Sequence, residues 1–78
     1  MPRYYFYVHD DVEASDEDGL ELAGLDAAIS EAVRGARGLA AGQVLEGRLN
    51  LSHSIDVSDE TGAVIATVTF RDAIAVEG

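Results

Sequence analysis

Between Asp10 and Leu22 the chain reads DDVEASDEDGLEL, seven carboxylates in thirteen positions with Gly19 among them. Carboxylates at that density could encircle a hard divalent cation, meet a basic partner, or keep a turn solvated. The calcium loop that joins paired helices needs acids at its first, third and fifth positions, glycine at the sixth and glutamate at the twelfth, because the oxygens must surround the ion. Setting Gly19 sixth puts Asp18 fifth and Asp16 third, but Ala14 and Leu25 then fall on the first and last ligand positions. Two ligands are missing and the match fails. Asp10, Asp11, Asp16 and Asp18 could still form a weaker divalent site; the favoured reading of Asp10 to Glu21 is a solvated hairpin loop whose charge aids solubility. His9 and His53 are too few to hold a metal alone, and no Ser-His-Asp or Cys-His arrangement can be assembled. His53 falls on a core-facing or rim position, where a hydrogen-bonded structural histidine is expected. No catalytic, cofactor-binding or metal-ligating residue is assigned, and no cofactor is expected.

The second chemical candidate is the N-terminus. Removal of the initiator methionine would leave Pro2 as a free secondary amine at the start of a strand. In that respect the chain resembles the small tautomerases, whose terminal proline has a lowered pKa and acts as general base. The resemblance implies that Arg34, Arg37, Arg48 or Arg71 would hold a substrate carboxylate by bidentate pairing. The order of elements departs from that family, since a long acidic stretch and an extra strand separate the first strand from the helix. An electronegative surface would also deter an anionic substrate. The plain alternative is a proline that begins an edge strand, and a non-enzymatic protein is the reading preferred.

These residues sit in a chain of 78 residues with a net charge of −10, from fifteen acids against five arginines and no lysine. Such a surface repels phosphate, which argues against nucleic acid and against anionic membranes as partners. Hydrophobic residues make up 47% of the chain, which is globular rather than disordered composition. No apolar run approaches the ~18 residues of a membrane span, and no basic, apolar and small-residue succession marks a signal peptide. The expectation is one small cytoplasmic domain spanning residues 1–78. A domain of this size buries only about 60–65% of its unfolded surface. Without cysteine it has no disulfide to add stability. Oligomerisation is the remaining common route.

The elements that position these residues follow from periodicity. RYYFYV, Arg3 to Val8, reads as a strand, with Tyr4, Phe6 and Val8 on one face and Arg3, Tyr5, Tyr7 and His9 on the other. GLEL reads as a short returning strand after a turn at Gly19. From Leu25 to Glu46, the positions Leu25, Ile29, Ala32, Ala36, Leu39 and Gln43, flanked by Ala28, Val33 and Ala40, form one helical stripe. Gly24 or Asp26 would cap its start, and Gly47 would end it. SHSIDVS alternates as a strand, with His53, Ile55 and Val57 inward, and DETG makes a hairpin turn with a bulge. AVIATVTF returns with Val64, Ala66, Val68 and Phe70 inward. RDAIAVE would add either an edge strand or a single helical turn. The order is β-β-α-β-β, with a further strand left open: a two-layer α+β fold in which one helix covers one face of an antiparallel sheet. The uncovered face would carry Tyr5, Tyr7, Ile65, Thr67 and Thr69 beside Ser54 and Asp56.

Four segments in this order, MPRYYF, DEDGLEL, AISEAVRGARGLAA and VSDETGAVIATVTFRDAIAV, resemble a family of small bacterial proteins classed as a domain of unknown function. Its members read M-P-R-Y-[FY]-F, then D-E-x-G-x-E-L, then a helix with E-A in its first turns, then V-x-D-x-x-G, then F-x-D-A. The resemblance spans nearly the whole chain and implies no catalytic residue. The helix departs from the pattern at Gly35, Gly38 and Gly42, each of which lowers helix stability by up to about 1 kcal/mol.

Aromatic and β-branched residues on an uncovered face usually mean a second layer. Tyr5, Tyr7, Ile65 and Thr67 are therefore the expected interaction face. The partner would be a second copy, docked on that face or on an exposed edge strand, or an unidentified protein. The chain also resembles small antitoxin domains in its strand, acidic loop and helix order, which would imply a basic partner, but it lacks their usual strand succession.

Overall fold

A run of aromatic residues ending in β-branched Val8 makes Arg3–His9 the strand around which the sheet assembles. In a computed structural model, which describes residues 1–11, 13–15 and 17–78, the elements are β1 (Arg3–His9), β2 (Ala14–Ser15), β3 (Leu20–Glu21), α1 (Leu25–Leu45), β4 (Ser54–Ser58), β5 (Val64–Thr69) and α2 (Phe70–Ala73). The strands form one sheet in the order β2-β1-β4-β5, with β3 also on β1, and every pairing is antiparallel. Helix α1 lies across one face. This is the expected α+β architecture with two layers.

The acidic stretch is more than a loop. Its Ala14–Ser15 segment pairs with Tyr7 and Val8, and Leu20–Glu21 pairs with Arg3 and Tyr4. It therefore runs back along β1 in two short pieces. Between them Gly19 takes φ +70°. A β-carbon there would lie 2.7 Å from the Tyr4 carbonyl oxygen and 2.9 Å from the Tyr5 ring. Only glycine lets the chain pass that close to β1.

Helix α1 begins at Gly24, which offers no side-chain cap, with Asp26 in the first turn. It ends as expected at Gly47, whose φ is +88°. There the Gly47 N–H donates to the Val44 carbonyl at 2.9 Å and the Arg48 N–H to the Gln43 carbonyl at 3.0 Å. Those bonds satisfy two of the carbonyls that a helix end leaves unpaired. Its buried stripe is centred on Ala28, Ala32, Ala36 and Ala40, while Leu25 is 40% exposed. The larger residues Ile29, Val33 and Leu39 flank that line. Small side chains let the helix axis approach the sheet, and the volume is filled from the other side by Tyr4, Ile55, Val57, Val68 and Phe70.

Two expectations at the C-terminal end need correction. The β4–β5 ladder shifts register between Val57 and Ser58, so Val64 lies opposite Ser58. That bulge turns Val64 away from the core and leaves it 57% exposed. Phe70 is fully buried, but it starts α2 rather than ending β5. The chain turns there because Thr69 accepts from the Asp72 N–H while the Asp72 carboxylate accepts from the Thr69 N–H, a capping box that favours a helical turn over a further strand. The expected 59–62 turn forms around Asp59, which accepts from the backbone N–H of Thr61 and of Ala63 and from the Thr61 hydroxyl. These bonds hold the Asp59 carboxyl below the usual carboxylate range, those from Thr61 being the largest influence.

Candidate functional site

The face opposite α1 carries an ordered set of polar side chains. Tyr7 lies opposite Asp56 on β4, and Asp56 lies opposite Thr67 on β5, so these side chains form a row across three strands. The Thr67 hydroxyl donates to Asp56 Oδ1 at 2.7 Å, and His9 Nε2 sits 2.8 Å from Asp56 Oδ2. The Tyr7 ring packs on the His9 ring with centroids 4.5 Å apart, and its hydroxyl donates to Glu13 Oε2 at 2.6 Å. Glu13, Tyr7, His9, Asp56 and Thr67 thus form one continuous set of contacts over β1, β4 and β5.

The electrostatics of the set follow from those bonds. Partial burial pushes the Asp56 carboxyl up, but the hydrogen bonds from Thr67 and His9 and the charge of His9 outweigh it, so the group lies below the usual carboxylate range. The Tyr7 phenol is pushed up, chiefly because Glu13 accepts its proton in a hydrogen bond, with partial desolvation and the negative charge of Glu13 adding to it. Asp56 orients His9 as a carboxylate orients an imidazole in many sites. The Thr67 hydroxyl donates to Asp56 and not to His9, so it is not aligned as a nucleophile on the imidazole. The pair lies on a sheet face at 39% and 21% side-chain exposure.

One corner of this face is apolar. Tyr5 is half-buried opposite Ser58, beside which Val64 and Ile65 are 57% and 37% exposed. All four residues of the expected interaction face, Tyr5, Tyr7, Ile65 and Thr67, therefore share one side of the sheet.

The other candidates are placed differently. Arg48 pairs with Asp11, the Arg3 guanidinium donates to the Asp18 carbonyl at 2.7 Å and pairs with Glu21 at 3.0 Å, and Tyr7 holds Glu13. The acidic stretch is therefore fastened to β1 and to the loop after α1. Asp16 of the suggested divalent set lies outside the described residues. Among the described residues, no group of three or more His, Asp or Glu side chains is placed to hold a metal ion. His53 is a hydrogen-bonded structural histidine: its Nδ1 lies 2.7 Å from Gln43 Nε2, and its ring meets Phe70 edge-on at 5.6 Å. Gln43 is 5% exposed and its Oε1 accepts from the Asn50 N–H, so this polar member of the helical stripe is satisfied within the core. Pro2 accepts from the Leu22 N–H through its carbonyl. Of the arginines proposed beside it, Arg34 pairs with Glu31, Arg37 donates to the Ala73 carbonyl, Arg48 pairs with Asp11, and Arg71 lines a depression with Arg48 and residues 49–52. None of these contacts includes Pro2. A further depression of about 450 Å³, apolar in its lining, lies between α1 and β1, bordered by Phe6, Val8, Leu20, Gly35, Leu39 and Ile55.

Fold and face together define a two-layer α+β domain with one helix-covered and one uncovered side. Residues 3–71 match the family model described as Domain of unknown function (DUF6894), and the chain belongs to that family. No curated protein and no solved structure matches it. Among the described residues, no helix is long and apolar enough to cross a membrane.

Proposed function

We propose that this member of the family is a non-enzymatic protein-interaction module, bacterial and cytoplasmic, and a homodimer built on the sheet surface its helix leaves uncovered or along an exposed edge strand. The observation that supports this reading most directly is the composition of that surface, where Tyr5, Val64 and Ile65 border an ordered polar set and Val64 and Ile65 are 57% and 37% exposed. A small domain whose largest fully buried side chains among the described residues are Phe70 and Val57 has much to gain from covering more apolar area. Sedimentation velocity of the full chain at tens of micromolar tests the reading. A mass near twice 8.2 kDa is expected, and a monomer at that concentration would overturn the homodimer.

A further inference from the structure

We propose that the second copy docks antiparallel along β5, extending the sheet across a two-fold axis that passes through Thr67. This inference rests on the self-association reading above and locates it. Strand β5 is the outermost strand on its side of the sheet, six residues long. An outer strand offers a row of unpaired N–H and C=O groups to an incoming strand. Its sequence, VIATVT, contains no charge, no proline and no glycine, and the strand's last N–H, that of Thr69, is the one already taken, by the Asp72 carboxylate. Two copies that each carry −10 repel one another least along a strand whose own six side chains carry no carboxylate, the nearest acids lying at its two ends.

The ends of β5 decide direction. Asp59 and Glu60 lie in the turn before it, and Arg71 follows it. Antiparallel pairing sets Arg71 of each copy toward the acidic turn of the other; parallel pairing would set like charges together. Among the described residues, Arg3, Arg34 and Arg48 each have an ion pair and Arg37 donates to the Ala73 carbonyl, whereas Arg71 has no ion pair and acts electrostatically on the neighbouring Asp72.

Face matching decides register. Residues directly opposed in an antiparallel pair must point to the same side. An axis through Thr67 sets Ile65 opposite Thr69 and Ala66 opposite Val68, and both pairs match. An axis through Ala66 would oppose Val64 to Val68, yet the bulge puts Val64 on the open side while Val68 is core. The Thr67 axis therefore matches residues 65–69 and the alternative only residues 65–67. In the resulting dimer both helices lie on one side. The row Tyr7, Asp56, Thr67 then runs on through the partner's Thr67, with the paired threonines at its centre.

Because the chain has no cysteine, single cysteines report the register cleanly. Thr67→Cys brings two thiols together on the axis, with α-carbons about 4.5–5.5 Å apart, within disulfide range. Mild oxidation should convert most of that variant to covalent dimer, while Ile65→Cys, which faces Thr69 rather than itself, stays largely uncrosslinked. Ile65→Lys, at an exposed position, should sediment as monomer with an unchanged circular dichroism spectrum. A wild-type dimer that survives Ile65→Lys and gives no crosslink at Thr67→Cys would overturn the β5 pairing and leave self-association standing. Wild-type protein that sediments as monomer would overturn both.

Discussion

The two edges of the sheet are treated in opposite ways. On the β1 side the chain returns along the strand as β2 and β3, bringing most of its acidic stretch with it and tying that stretch down through Arg3 and Arg48. On the β5 side six uncharged residues end the sheet, with no further strand beyond them among the described residues. A sheet edge attracts other strands unless charge, brevity or cover prevents it. The acidic segment supplies all of these for β1, which gives its carboxylates a physical role that requires no metal. The bare edge is then informative, because the same chain shows how it protects an edge from pairing.

The largest effect should come from breaking the guard where it is most constrained. Gly19→Val would place a branched side chain at φ +70° against the Tyr4 carbonyl oxygen, which is backbone and cannot swing aside. Displacing β3 from β1 should cost about 2 kcal/mol or more, a fall in Tm of roughly 10 °C for a domain of this size. It would also leave both edges open. Thermal unfolding and sedimentation should together show lower stability and species larger than a dimer. A variant that kept the wild-type Tm and mass would show that the guard is held by something other than this close approach.

What could be read from the chain beforehand divides along the same line. The helix end at Gly47, the turn around Asp59 and the in-and-out alternation of β1 and β4 are local chemistry, and all appear where periodicity and turn residues put them. The β2 pairing was not legible, because Ala14–Ser15 becomes a strand only through the neighbour it meets. Val64 was misplaced for a related reason: alternation continues through a bulge on paper but not in the ladder. In the helix, the alanines proved more central than the leucines, since close packing on a sheet favours small side chains that a hydrophobicity pattern ranks low. The His9–Asp56 contact was half legible. Alternation put both residues on the uncovered face, but only the β1–β4 register, across forty-seven positions of sequence, brings them to 2.8 Å. The capping box that ends β5 was present in the text as Thr69 and Asp72 and could have settled the choice between strand and helical turn.

A middle-sized effect tests the polar half of the uncovered face. The folded-state pKa of Asp56 lies below its unfolded value, so its contribution to stability is complete above the ordinary carboxyl value of 3.8 and is lost as pH falls through the lowered folded value. Asp59 and Asp72 shift in the same direction, Asp72 mainly through the Thr69 N–H, and add to the same acid limb. Unfolding midpoints measured between pH 2 and 6 should therefore rise with pH and then flatten. Asp56→Asn removes one carboxylate with its charge-assisted partner His9, so it should cost about 1 kcal/mol near neutrality and make the acid limb shallower. An unchanged limb would mean that the His9–Asp56–Thr67 set contributes nothing to the fold, and that its order on the uncovered face has to be explained by binding alone.

The smallest effect separates the helix layer from both edges. Gly38 and Gly42 sit within α1, and a β-carbon at either would meet nothing within 4 Å. Replacing each by alanine should stabilise the domain by about 0.5–1 kcal/mol, through helix propensity and a less flexible unfolded chain. Gly35 differs, since its added carbon would lie 3.2 Å from Ile55 Cδ1, the end of a core side chain. There the gain in propensity and the cost of crowding should nearly cancel. If the sheet edge and not the helix makes the dimer, Gly38→Ala and Gly42→Ala raise Tm by several degrees and leave the sedimenting mass untouched. A loss of dimer in Gly38→Ala would instead place the partner against the helix, where these glycines would let another backbone come close.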